Sequence, residues 1–111
     1  QHFYPQDNTL NPLGLALCTY IMIGTVWVLF YTPVVALDPN AFSQPMEQGS
    51  QTFHTLIYFS YVTLTTLGYG DISPASDIAR NLAVLEALTG TLFLAVLISR
   101  LVGSYASKRD Q

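Results

Sequence analysis

Thr65-Thr66-Leu67-Gly68-Tyr69-Gly70-Asp71 decides the reading of this 111-residue chain. Two glycines fall within the five residues Thr66 to Gly70, and Asp71-Ile72-Ser73-Pro74 then closes the segment in a turn. Just before it, residues 51–65 include Phe53, Leu56, Ile57, Phe59, Tyr61, Val62 and Leu64, apolar enough for burial but too few to cross a bilayer. A short apolar helix running into a glycine-rich extended segment reads as re-entrant.

Working outward, Leu13 to Leu37 contains no charged residue. About 20 apolar residues suffice to span the hydrocarbon core as a helix. Pro33 is expected to kink or end that helix, and Tyr20, Trp27 and Tyr31 to lie toward the interfaces, where amphipathic rings are favoured. Asp38 to Gly49, with two prolines, an asparagine, a glycine and the carboxylates of Asp38 and Glu47, reads as an exposed loop. Ser50 is the expected cap of the short helix. On the other side, Ser76 or Asp77 caps a second long helix through Leu82 and Val102 toward Tyr105, with Glu86 its only acidic interruption in the apolar stretch.

Half of the residues are hydrophobic and 10% are charged, against about 25% charged in a soluble domain. The net charge of −3 and the lack of a basic stripe exclude nucleic acid as an expected partner. The lone cysteine, Cys18, rules out an internal disulfide and is read as a small buried residue. Gln1 in place of methionine is read as a fragment or a processed product, and the first apolar run lacks the flanks of a secretory signal. Arg100, Lys108 and Arg109 gather at the C-terminal side, which the positive-inside tendency places in the cytoplasm. Two spans then put both termini inside and Asp38 to Arg80 outside, in a plasma-membrane protein. Neither span carries the repeated arginines of a voltage sensor.

Unpaired backbone in lipid costs several kcal/mol per group, so a non-helical segment at that depth must line protein or a water-filled cavity. Exposed carbonyls inside a membrane suit the dehydration of a cation. Gly68 and Gly70 permit the backbone angles that turn successive carbonyls one way. One chain supplies a single line of oxygens, so rotationally symmetric self-association is expected.

The stretch from Thr65 to Asp71 between two helices resembles the tetrameric potassium channel family, in its two-transmembrane-helix, prokaryote-like form; the resemblance covers about Leu13 to Tyr105. It implies an all-α membrane protein in which an outer helix (about 13–37) and an inner helix (about 77–105) flank a pore helix (about 51–65) and an extended selectivity filter (66–70), assembled as a C4 homotetramer. It further implies K⁺ sites at Thr66, Leu67, Gly68 and Tyr69, completed by Gly70, with Asp71, Tyr58, Phe59, Val62 and Thr65 at the outer mouth or supporting the filter. Gly90, twenty residues after Gly70, matches the spacing of a gating hinge, the other reading being close helix approach. Thr91, Leu94, Ile98 and Val102 are expected to line the inner pore.

Several positions depart from the family pattern. Leu67 stands where valine or isoleucine is usual, and only its carbonyl is expected to meet the ion. Tyr58 and Phe59 replace a pair of tryptophans; the Tyr58 hydroxyl is placed to bond Asp71 or simply to sit at a wet interface, whereas Phe59 has no donor. Val62 stands where some relatives have glutamate. Glu86 is an intramembrane acid expected near the pore-helix threonines, in the cavity, or at the outer interface. His54 is read as an external pH sensor or a solvated histidine.

The function that follows is passive K⁺ conduction through a backbone-carbonyl filter, with K⁺ and the bilayer as partners, no cofactor and no covalent chemistry. The polar ends, Gln1 to Asn11 and Ser104 to Gln111, are compatible with connections to cytoplasmic regulatory domains. Rival readings are a nonselective cation channel, a subunit of a K⁺ uptake transporter and a non-conducting structural or regulatory membrane subunit. An enzyme is disfavoured because Ser, His and Asp are scattered without a nucleophile motif.

Overall fold

The computed structural model describes residues 4–46 and 49–109. They form three helices: α1 (Tyr4–Leu37), α2 (Ser50–Leu64) and α3 (Asp77–Arg109). Among the described residues there is no strand, only an isolated antiparallel bridge between Phe42 and Pro74. Glu47, expected in the exposed loop, lies outside the described residues.

Within α1 and α3, the stretches Asn11–Leu37 and Asp77–Ser107 are long and apolar enough to cross a membrane. Each has only 11% of its most apolar window buried, so these are not core helices of a soluble domain. Leu15, Met22, Leu29, Leu92 and Ile98 stand exposed along them. The molecule is a rod of 57 × 23 × 20 Å, its long axis exceeding the roughly 30 Å hydrocarbon core of a bilayer.

Helix α1 starts earlier than the expected Leu13 and runs through Pro33 instead of kinking or ending there. Pro33 has no N–H to give the Leu29 carbonyl, so one helical bond is missing there while the helix continues to Leu37. The Thr32 hydroxyl donates to the Val28 carbonyl at 2.8 Å, one carbonyl before the Leu29 oxygen that Pro33 leaves without its helical donor. The cap of α2 also differs from expectation. Gly49 is the N-cap at φ 144°, a backbone angle that disfavours side chains, and Ser50 is already helical, with no side-chain cap bond. Ser76 does cap α3: its hydroxyl accepts the Ala79 N–H at 3.1 Å.

The core lies between the C-terminal half of α1, the N-terminal half of α3 and the face of α2 that packs on them. Val28, Tyr31, Val35, Phe42, Leu56, Phe59, Ile72 and Ala79 are buried together. Tyr31, Phe42 and Phe59 form a mutual edge-to-face triangle with centroids 4.9 to 5.8 Å apart, geometry that complements ring edges with ring faces. Tyr31 is thus a core residue and not the interfacial ring expected of it, because its hydroxyl finds a buried partner. Cys18, expected to be buried, is exposed on the protomer.

Candidate functional site

Helix α2 stops at Leu64 with Thr65 as its C-cap, and the chain from Thr66 to Gly70 leaves it as non-helical backbone. Three alternate residues have positive φ: Thr66 at 61°, Gly68 at 59° and Gly70 at 84°. A side chain at such angles costs about 1–2 kcal/mol, which glycine avoids and Thr66 bears. In an ordinary strand, successive carbonyls alternate sides; alternating the sign of φ is the backbone device that brings them round to one side.

The first three amide hydrogens of this segment are used up on the end of α2. The Thr66 N–H donates to Thr63 O at 3.0 Å, and the Leu67 and Gly68 N–H groups donate to Val62 O at 2.9 and 3.3 Å. Among the described residues, no hydrogen bond reaches the carbonyl oxygens of residues 66–70. The Thr66 hydroxyl donates to Thr65 O at 2.6 Å, so its proton points away and its lone pairs stay free. From Thr66 to Gly68 the segment therefore offers oxygen lone pairs while its amide donors are turned onto α2, a lining that attracts a cation and repels an anion.

The C-terminal end of the segment is pinned by several short bonds. The Tyr58 hydroxyl donates to Asp71 Oδ2 at 2.8 Å, and Asp71 Oδ1 accepts the Ile72 N–H at 3.0 Å. That bond first, then desolvation, then the nearby Asp71 charge raise the Tyr58 phenol above its ordinary range. The loop after α1 holds the following turn: Ser43 N–H donates to Ser73 O at 2.8 Å, and the Ala75 and Ser76 N–H groups both donate to Ala41 O. Phe59 packs between Tyr31 and Phe42, and Val62 meets the segment through its backbone carbonyl.

Behind α2 lies Glu86, fully buried. Its Oε1 accepts from the Tyr31 hydroxyl at 2.7 Å, and its Oε2 lies 2.6 Å from Ser60 Oγ. Its α2 partner is the hydroxyl of a serine, Ser60, and not one of the α2 threonines. Hydroxyls tie α2 to α1 as well. Tyr61 lies 2.9 Å from the Thr25 hydroxyl and donates to Ile21 O, and Ser60 reaches Gly24 O. Ser60 and Gly24 escaped the sequence reading, and Tyr61 entered it only as an apolar residue of the short helix; a carboxylate in a span demands a polar partner, and that demand is the signal that could have pointed to Ser60.

Helix α3 continues unbroken through Gly90, which is buried against the end of α2; a Cβ there would overlap the Leu64 carbonyl oxygen. Thr91, Leu94, Ile98 and Val102 are exposed on the protomer, while Phe93, half-buried, stacks 5.5 Å from Tyr20 on α1. Leu67 and Tyr69 are also exposed. His54 is exposed near the start of α2 with its ring against Phe53.

This chain is 37% identical over 110 residues to two-pore potassium channel 1 of Arabidopsis thaliana, covering 96% of this chain and 28% of that protein. It is 33% identical over 100 residues to two pore potassium channel b of Oryza sativa subsp. japonica, covering 88% and 25%. It is also 32% identical over 100 residues to the inward rectifier potassium channel Kirbac3.1 of Paramagnetospirillum magnetotacticum, covering 88% and 32%. The chain spans between a quarter and a third of the length of these three relatives. A family model described as an ion channel matches residues 15–106, nearly the whole stretch from the first span to the end of the second, and the chain therefore belongs to that ion channel family.

Proposed function

We propose that the chain is one quarter of a K⁺-selective pore that conducts passively across the plasma membrane. The observation that carries this reading is the non-helical run from Thr66 to Gly70, with φ positive at alternate residues, its carbonyl oxygens free of hydrogen bonds among the described residues and the amides of residues 66–68 turned onto α2. In this reading the carbonyls of Thr66, Leu67, Gly68 and Tyr69, with the Thr66 hydroxyl, replace the water around K⁺. Asp71 guards the outer mouth, held by Tyr58. The potassium channels named above support K⁺ as the ion.

Four copies around an axis supply the coordination that one line of oxygens cannot, and they cover Leu67 and Tyr69, which one protomer leaves exposed. The C-terminal ends of four α2 helices then point their negative dipole ends toward the cavity. Thr91, Leu94, Ile98 and Val102 line the path below. Gly90 serves as the hinge of α3 as well as its contact with α2. Both termini lie in the cytoplasm, as the basic cluster at Arg100, Lys108 and Arg109 favours. No cofactor takes part.

The test is the reversal potential of the purified protein in planar bilayers with K⁺ on one side and Na⁺ on the other. A value near the K⁺ equilibrium potential is expected. A value near zero would mean a nonselective pore, and no current at all a structural or regulatory subunit.

A further inference from the structure

Ser60 Oγ lies 2.6 Å from the Gly24 carbonyl oxygen and 2.6 Å from Glu86 Oε2. Both separations are those of a short O–H···O bond. A serine hydroxyl has one proton, and a backbone carbonyl has none to give. If Ser60 donates to Gly24, the proton of the second bond has to come from Glu86. If Ser60 donates instead to Glu86, its oxygen faces the Gly24 oxygen with no proton between them, a repulsive contact in a buried site. Glu86 Oε1 already accepts from Tyr31 at 2.7 Å, which leaves Oε2 as the place for the proton.

The surroundings agree. Among the described residues, no lysine, arginine or histidine bonds to either Glu86 oxygen. From α1 the titratable group facing it is Tyr31, from α2 the facing group is the Ser60 hydroxyl, and Arg80 on α3 itself is exposed. A fully buried carboxylate without a cation is far costlier than a hydrogen-bonded carboxylic acid.

We infer that Glu86 is held as a neutral carboxylic acid in a relay of donors from Tyr31 to Glu86 to Ser60 to Gly24, and that it is a positioning residue for α2. The relay joins α3 to α2 and both to α1 at a single level. Ser60 stands two residues before Val62, whose carbonyl holds the amides of Leu67 and Gly68. A shift of α2 at Ser60 therefore reaches the segment 66–70 directly. That this segment conducts is the proposal above; the protonation of Glu86 does not depend on it.

Infrared difference spectra of the protein in lipid at neutral pH test the proton. A protonated-carboxyl C=O band is expected in the wild type and is lost in Glu86→Gln; a wild-type spectrum that loses no such band on substitution overturns the inference. Gln reproduces the acid, since its carbonyl accepts from Tyr31 and its amide donates to Ser60. Glu86→Gln is therefore expected to melt like the wild type, and Glu86→Ala and Ser60→Ala below it; Glu86→Gln melting as low as Glu86→Ala would mean that a charge is required.

Positioning is read by amide exchange at Leu67 and Gly68, which is expected to rise roughly tenfold or more in Glu86→Ala and to stay near wild type in Glu86→Gln. Exchange unchanged in Glu86→Ala removes the positioning role. None of these readouts uses conduction, so a failed K⁺ selectivity test and a failed relay are separate results.

Discussion

Tyr58 in α2 donates its phenol hydrogen to Asp71 Oδ2 at 2.8 Å, closing a bracket around residues 66–70 at their C-terminal end. The N-terminal end of the same segment is held by backbone bonds to Thr63 and Val62. A strip of carbonyls with no hydrogen bonds of its own is thus fixed only at its ends and through its amides. Removing the Tyr58 bond leaves Asp71 free to turn away while the backbone bonds persist.

Tyr58→Phe is accordingly expected to leave expression and K⁺ selectivity in place but to accelerate the decay of current during sustained conduction. The decay time in bilayers at fixed K⁺ measures this. Equal decay in wild type and variant would reduce Tyr58 to an interfacial ring.

The same bond sets a pH limit. Bonding to Asp71, followed by desolvation and the Asp71 charge, raises the Tyr58 phenol above the ordinary value of 10.0. For a group raised in the folded state, the stabilisation is complete below the ordinary phenol range and is lost as pH climbs through the raised value. In an NMR titration of ¹³C-labelled tyrosine, Tyr58 is expected to ionise at higher pH in the wild type than in Asp71→Asn. Coincident midpoints would show that the bond does not persist in the membrane.

The spans and the break between them were legible because they rest on one-dimensional signals. Twenty-five residues from Leu13 without a charge leave few options, and the glycine pair after Leu67 interrupts an apolar run. The Tyr58 to Asp71 contact was legible too, since one hydroxyl and one carboxylate flank the same short segment. Glu86 was flagged by its cost, but its partners were not. Ser60 is one hydroxyl among many in α2, and Tyr31 lies 55 positions away, so only the packing of three helices identifies them. The cap of α2 was misread because a serine is the usual cap, whereas here the turn needs φ 144°, which favours Gly49.

Gly90 was read as a hinge with close approach as the other possibility, and the contact with Leu64 makes the approach itself testable. A methyl at residue 90 would meet backbone, which cannot rotate aside as a side chain end can. Gly90→Ala is expected to push α3 from α2 and to destabilise the protein by about 1–3 kcal/mol, the usual range for overpacking. Thermal unfolding in detergent reads the loss. An unchanged melting temperature would mean that α3 has room to move at this level, and would leave flexibility as the reason for the glycine.

Gly68 presents the opposite case, in which space is free and the backbone angle is the constraint. A Cβ there would meet nothing nearer than Thr66 O at 3.9 Å, yet φ is 59°. Gly68→Ala is therefore expected to cost about 1–2 kcal/mol per chain from the left-handed angle alone, with no clash to relieve. The chain can escape that cost by flipping the residue to negative φ, which breaks the alternation with Thr66 and Gly70 and turns a carbonyl off the common side. The protein should then fold, with both spans intact by circular dichroism, and lose K⁺ current or its preference over Na⁺. A Gly68→Ala protein with wild-type conductance and selectivity would show that the alternation of φ is not what orders the oxygens.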